Sequence, residues 1–189
     1  MRSIFRSSVV TSSMAALLLA ATAGVGHAQT APTAKVAVPG FGAIHTAPAA
    51  AEHPTKSLRY KVLFSITQGN DDTAKPSASL NKVARFMNLL AADGVRPKSG
   101  DVVAVVHGGA TPIVMSDAAF KARSAGSENP SLELIDQLKK AGVSVRVCSQ
   151  ALAAASIEPD AVDKRVQIDV AALTTMANLQ LKGYALIPD

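Results

Sequence analysis

Short apolar runs alternate with longer segments of helical periodicity over most of this chain. The run 101–107 is almost entirely apolar, as expected of a strand buried on both faces of a parallel sheet, and the run 143–148 alternates apolar with polar side chains. Runs of this length, bounded by polar or glycine-containing turns, predict strands. Five strands are predicted, over residues 59–66, 101–107, 143–148, 166–170 and 184–187.

Helical spacing of apolar residues fills the segments between these strands. Leu80, Val83, Met87 and Leu90 form one stripe of an amphipathic helix that Gly94 ends. Helices are also predicted over residues 116–123, 150–155 and 173–182, and after the N-cap and first-turn pair at 129–130. Strands that alternate with helices predict a three-layer α/β fold, with a mostly parallel sheet of about five strands and helices on both faces.

The first 28 residues have the pattern of a secretory signal peptide. Arg2 and Arg6 supply positive charge, residues 9–23 form an apolar stretch, and Gly26 and Ala28 are the small residues that a cleavage site requires. The apolar stretch is shorter than the roughly 20 residues that a membrane helix needs. We therefore expect cleavage after Ala28, no membrane span in the mature chain, and a periplasmic or secreted location.

Residues 29–57 are predicted to form a lead-in or tether ahead of the folded domain. The segment is rich in Ala and Pro, and its apolar positions follow neither a helical nor a strand period, which is typical of an extended linker. The patch 38–44, which contains Phe41 and Ile44, is an exception. It either docks on the domain or on a neighbouring subunit, or forms a simple turn. The α/β domain itself is predicted to span residues 58–189.

Composition argues against several classes of protein. The net charge is +5 at pH 7, and two of the positive residues lie in the signal, so the surplus is too small to indicate nucleic-acid binding. The sequence lacks the glycine motifs of phosphate-binding and dinucleotide-binding loops. Its His and Cys residues do not have the spacing of metal ligands. We therefore predict no cofactor and no metal.

The single cysteine, Cys148, is the residue that most strongly suggests chemistry. It ends a predicted strand directly before a predicted helix. The carboxyl ends of parallel strands form the crevice where α/β proteins bind ligands. Backbone N–H groups at the start of a helix favour a nearby thiolate, and a lone cysteine has no partner for a disulfide within its own chain. Cys148 is therefore either a reactive thiol or a small apolar side chain of the core.

Two other strand ends are expected to meet Cys148 at the same edge of the sheet. His107 ends the second strand, and a Cys–His pair suits nucleophilic or sulfur-transfer chemistry. A histidine at a strand end also serves simply to hydrogen-bond the backbone, so both roles stay open for His107. The loops after the three strands complete a candidate ligand-binding crevice formed by Gln68, Asn70, Gly108, Gly109, Ser149 and Gln150.

An ordered set of segments resembles the DsrE/DsrF-like family, most closely its exported branch. These segments are 60–66, 81–88, 106–110, 129–130, 141–143 and 147–150. The resemblance spans residues 58–189 and implies the α/β fold described above, assembled into homo-oligomers such as trimers or hexamers. Cytoplasmic relatives include sulfur-relay proteins in which a cysteine at the end of the equivalent strand carries sulfur as a persulfide. Cys148 matches that position, and Ser149 stands where many relatives have glycine.

The resemblance thus implies an exported protein that binds or relays sulfane sulfur through Cys148, with sulfur donor and acceptor proteins as partners. The known relay partners of the family are cytoplasmic, so an exported member needs other donors and acceptors. The residues leave an alternative open: a non-catalytic oligomeric module that binds a small ligand or a partner, with Cys148 as packing. A disulfide that joins two subunits through this thiol is a third interpretation.

Overall fold

A computed structural model describes residues 36–69, 74–124 and 128–189 of the chain. The predicted signal peptide and the start of the lead-in lie outside these ranges. The strands are β1 (Val62–Ile66), β2 (Val102–Val106), β3 (Ser144–Cys148), β4 (Gln167–Asp169) and β5 (Ala185–Ile187). The helices are α1 (Ala78–Ala92), α2 (Asp117–Arg123), α3 (Leu132–Lys140), α4 (Ser149–Ala154) and α5 (Ala172–Leu181), with 3₁₀ helices at Gly108–Val114 and Pro159–Ala161. Within the described ranges, no helix combines the length and the apolar character that crossing a bilayer requires.

The five strands form one fully parallel sheet in the order β4-β3-β2-β1-β5. The first four strands are added stepwise toward one edge, and the chain then crosses the sheet through α5 to place β5 beside β1. All five residues of β2 are buried, as its continuous apolar run predicts. The predicted α/β fold with a mostly parallel sheet of about five strands is confirmed.

Alternation along the strands divides the core into two layers of unequal size. The larger layer contains Phe64 of β1, Val106 of β2 and Val147 of β3, which pack with buried residues of α1, α3 and α4. The smaller layer, on the opposite face, consists of Leu63, Val103, Val105, Cys148, Ala172 and Leu179. Its buried helical residues come from α5. Cys148 therefore lies in the thinner part of the core, between the sheet and α5.

Part of the predicted lead-in packs on α1. Val38 is fully buried in the larger layer. The Asn88 side chain of α1 accepts a hydrogen bond from the Val38 N–H at 2.8 Å and donates one to the Gly42 carbonyl at 3.0 Å. Gly42 has a φ of +60°, and a Cβ there would lie 2.2 Å from the backbone nitrogen of Arg85. The structure thus docks the start of the patch 38–44 on the domain.

Candidate functional site

Cys148 lies where β3 ends and α4 begins. It is the last residue of β3 and the N-cap residue of α4. Val145 and Val147 of the same strand lie in the larger core layer, and the alternation of a strand therefore directs Cys148 to the opposite face, toward α5. Only 6% of the residue is exposed. The thiol therefore lies at the carboxyl edge of the sheet and is buried in the smaller core layer.

His107 stands beside Cys148 along the sheet. Val106 of β2 pairs with Val147 of β3, so the residues that follow them are neighbours at the carboxyl end, on the α5 face. The imidazole is directed along the sheet toward β1, away from β3, since its Nε2 lies 3.0 Å from Oγ of Ser65. No hydrogen bond joins His107 to Cys148 among the described residues. The two side chains are adjacent in the sheet without forming a hydrogen-bonded pair.

The environment of His107 favours a neutral imidazole. Burial lowers the pKa of His107, and the Asp189 carboxylate opposes that effect only in part, so the pKa stays below its usual value. A neutral imidazole carries one N–H donor and one acceptor nitrogen. At neutral pH His107 is therefore suited to exchange a proton or a hydrogen bond with a ligand or a thiol, rather than to act as a fixed positive charge.

The loops after β1 and β2 touch each other at this edge of the sheet. The Ala110 N–H donates to the Thr67 carbonyl at 3.0 Å. Gly69 and Gly109 approach so closely that a Cβ on Gly69 would lie 2.9 Å from the Gly109 oxygen. A side chain at this position would push the two loops apart. The positions of these loops at strand ends predict that they are neighbours, and the structure brings them into contact.

The residues predicted to line a crevice are arranged in two groups. Gln68, Gly108 and Gly109 lie exposed on the contacting loops after β1 and β2. Ser149 and Gln150 face the loop after β4: the Ser149 hydroxyl donates to the Val170 carbonyl at 2.7 Å, and the Gln150 Nε2 donates to the same oxygen at 3.3 Å. Asn70 lies outside the described residues.

Asp189 also lies at this edge, a position that the sequence pattern does not predict. Its Oδ2 accepts hydrogen bonds from the Thr67 N–H at 2.7 Å, the Gln68 N–H at 2.8 Å and the Thr67 hydroxyl at 3.3 Å. Burial alone would raise the pKa of Asp189, but donation from Ser79 and from these loop groups outweighs burial and holds the pKa below its usual value. A separation of 122 residues between Asp189 and Thr67 leaves no local sequence signal for this contact.

The chemistry available at this edge is that of a thiol, a neutral imidazole and backbone donors. Among the described residues, no three His, Cys, Asp or Glu side chains are grouped so that they could hold a metal ion. A nucleophilic sulfur with a proton acceptor one strand away suits group transfer to or from sulfur. Backbone N–H groups that converge on one point suit an anion.

Comparison with known proteins identifies the family. No curated protein matches the chain. A solved structure of a protein of unknown function, MTH1491 from Methanobacterium thermoautotrophicum, is similar at 20% identity, over 69% of this chain and 99% of that chain, with a TM-score of 0.48. The model of the DsrE/DsrF-like family matches residues 60–188, a range that contains all five strands and Cys148. The resemblance is confirmed at the level of the family, and the chain belongs to the DsrE/DsrF-like family.

Proposed function

We propose that this protein binds or relays sulfane sulfur through Cys148. Membership of the DsrE/DsrF-like family supports the proposal. The observation that carries it is the position of Cys148, the sole cysteine of the chain, at the carboxyl end of β3 and at the N-cap of α4. Strand ends of this kind form the ligand-binding edge of open parallel sheets. His107 is the next residue along that edge.

The transfer needs no external oxidant or reductant. The Cys148 thiolate attacks the outer sulfur of a donor persulfide, so that an Sγ–S bond forms while the S–S bond of the donor breaks and the donor leaves as a thiolate. An acceptor thiolate then attacks the outer sulfur, the Sγ–S bond breaks, and Cys148 returns as a thiolate. His107 is neutral and one strand away, about 5 Å by the usual strand spacing. It takes the thiol proton once the imidazole turns from Ser65.

Access to the thiol is the step that this structure restricts. Cys148 is 6% exposed and shares the smaller core layer with Ala172 and Leu179 of α5, and Ala171 and Met176 pack against that layer. Loading therefore requires α5 or the chain leading into it to move. The small size of this core layer makes such a movement less costly than opening the larger layer, because less apolar surface is exposed.

The same burial supports a second candidate function. A non-catalytic module that binds a small ligand or a partner at the carboxyl edge would keep Cys148 as a packed side chain, as free cysteines commonly are. In that case the thiol reacts with a labelling reagent only when the whole domain unfolds. The rate of thiol labelling in the folded state separates the two functions.

Intact-mass spectrometry tests the relay directly. The folded protein is incubated with a small-molecule persulfide, and loading adds about 32 Da for each sulfur, an adduct that reductant removes. Cys148→Ser removes the thiol and should not load. Cys148→Ala, a small apolar substitute, is the matched control for packing. A Cys148→Ser variant that loads fully would overturn the proposal. So would a wild type that stays unloaded and labels only at its unfolding rate, and that result would favour the binding module.

We also propose that the chain is exported and cleaved after Ala28. The support is the sequence pattern alone, with Arg2 and Arg6 ahead of an apolar stretch and small residues before the cleavage point. Mature protein purified from the producing cells should then begin at Gln29. An N-terminus at Met1 in the cytoplasmic fraction would contradict export.

Assembly of several copies of the chain through the outward side of α5 is a further part of this proposal. Leu173, Ala177 and Leu181 follow one another at intervals of four residues, so they form one row on the helix. Leu173 is 80% exposed and Leu181 is 87% exposed. Large apolar side chains in such a row favour contact with a second apolar surface. A second copy of this chain supplies such a surface.

A further inference from the structure

The carboxylate of Asp189 lies in a group of donors that we call the loop cradle. The loop cradle consists of the backbone N–H groups of Thr67 and Gln68 and the Thr67 hydroxyl. The Ser79 hydroxyl adjoins it and helps to lower the pKa of Asp189. Three of these donors belong to the loop that follows β1, and Ser79 is a buried residue of α1. The three hydrogen bonds from Thr67 and Gln68 converge on one atom, Oδ2 of Asp189, at 2.7 to 3.3 Å.

The loop cradle is held in place by contacts that do not involve Asp189. The Thr67 carbonyl accepts from the Ala110 N–H at 3.0 Å, and the close approach of Gly69 to Gly109 packs the loop after β1 against the loop after β2. The N–H groups that face Asp189 are therefore fixed by the sheet and its loops. Successive backbone N–H groups that point to one spot are a common anion site in proteins.

Asp189 is also in electrostatic contact with the proposed functional edge. The loop cradle begins directly after Ile66, whose carbonyl accepts a hydrogen bond from the His107 N–H at 2.9 Å. The Asp189 carboxylate raises the pKa of His107 against the larger, lowering effect of burial. The segment that carries Asp189 is further tied to α1, because Lys82 Nζ donates to the Pro188 carbonyl at 3.2 Å. The loop cradle therefore lies next to the backbone of His107, at the carboxyl edge of the sheet that also carries Cys148.

We propose that the loop cradle is a binding site for a small oxyanion, and that Asp189 occupies it as an internal substitute that the ligand displaces. The donors are fixed, uncharged and convergent, which suits an oxygen atom of an anion from any source. Asp189 lies two residues beyond β5 and can leave the loop cradle without breaking the β1–β5 pairing. This inference does not require sulfur chemistry at Cys148, so it stands or falls separately from the proposed function.

Sulfate is the probe for this site, titrated at constant ionic strength against chloride. The readouts are the amide chemical shifts of Thr67 and Gln68 in the folded, isotopically labelled protein and the thermal unfolding midpoint. Asp189→Ala empties the loop cradle and Asp189→Asn removes the charge with little change in shape. If Asp189 fills the site nine-tenths of the time in the wild type, its removal should tighten sulfate binding by about tenfold. Asp160→Asn, an exposed carboxylate in the 3₁₀ helix Pro159–Ala161, is the matched control and should bind as the wild type does.

A second substitution tests where the ion binds. Adding Ser79→Ala to Asp189→Ala removes one donor and should weaken sulfate binding, whereas unchanged binding would place the ion elsewhere and overturn the proposal. Equal sulfate affinity in the wild type and Asp189→Ala, or no shift of the Thr67 and Gln68 amides in the variant, would also overturn it. If the Asp189 variants fold only when sulfate is present, the proposal is supported. If sulfate does not restore folding, Asp189 is a structural residue and the proposal fails.

Discussion

Shortening Leu179 to alanine should speed the reaction of Cys148 with a thiol reagent. Leu179 of α5 is 6% exposed and belongs to the same small core layer as Cys148, so it helps to hold α5 on the sheet. A buried Leu→Ala change costs about 2–5 kcal/mol, and we take the lower end because this layer borders exposed residues of α5 and can relax. If α5 must lift before the reagent enters, lowering the free energy of that opening by about 2 kcal/mol makes the reaction roughly 30-fold faster.

A leucine in the other core layer provides the control. Leu138 of α3 is fully buried in the larger layer, so Leu138→Ala destabilises the domain at least as much without touching α5. The assay follows labelling of the folded protein by a small disulfide reagent in excess, with unfolding rates measured in parallel. Leu179→Ala should accelerate labelling, and Leu138→Ala should leave it near the wild-type rate. Equal acceleration in both variants would show that the reagent enters through global unfolding and would refute the reasoning. No acceleration in Leu179→Ala would refute it as well.

Three further outcomes are expected. Asn88→Ala should lower the free energy of unfolding by about 2–3 kcal/mol, because it removes the buried side chain that holds the segment 37–42 on α1. It should also speed amide hydrogen exchange at Val38 and Gly42. Unchanged exchange would mean that other contacts hold the segment. The hydrogen bond from Arg59 outweighs burial and lowers the pKa of Asp101, so this pair stabilises the fold above a pH of about 4 and the gain is lost as the pH falls through the folded-state pKa. Melting curves of Asp101→Asn between acidic and neutral pH should therefore show a shallower loss on acidification, and parallel curves for the two proteins would contradict this. Leu173→Glu and Leu181→Glu should each convert an oligomer of the wild type to a monomer, as measured by light scattering. The control is Leu89→Glu on α1, which changes a leucine that is 42% exposed and should leave the oligomer intact. A monomeric wild type would exclude assembly through α5.

The elements of this fold were predictable because their signals are local. The apolar run that predicts a strand over 101–107 becomes β2, and the stripe from Leu80 to Leu90 becomes the buried face of α1. The first strand begins later than predicted, at Val62, because the Lys61 N–H donates to the Arg59 carbonyl at 3.0 Å in a local turn. Five short strands alternating with helices leave few arrangements other than a parallel sheet, so the fold class followed from the pattern.

The candidate site was predictable only in part. The sequence places Cys148 and His107 at strand ends, and the structure makes them neighbours. The sequence does not indicate that the His107 imidazole forms a hydrogen bond with Ser65, because that contact depends on the pairing of β1 with β2. The burial of Cys148 depends on α5 crossing the sheet, a long-range arrangement without a local pattern. For the same reason, no sequence pattern indicates that Asp189 contacts Thr67 in the loop after β1.

The crossover through α5 also fixes when Cys148 becomes enclosed during folding. β1, β2 and β3 carry the larger core layer and can assemble with α1 and α3, whereas the cover over the thiol waits for α5 and for Ala185 to pair with Val62 across the length of the domain. Contacts between such distant residues form late, because the loop between them must close first. Every partly folded form without α5 therefore exposes the thiol, and the finished domain hides it. Under the proposed relay, a sulfur atom attached before that last step would be sealed beneath α5, while one attached afterwards would have to wait for the helix to lift.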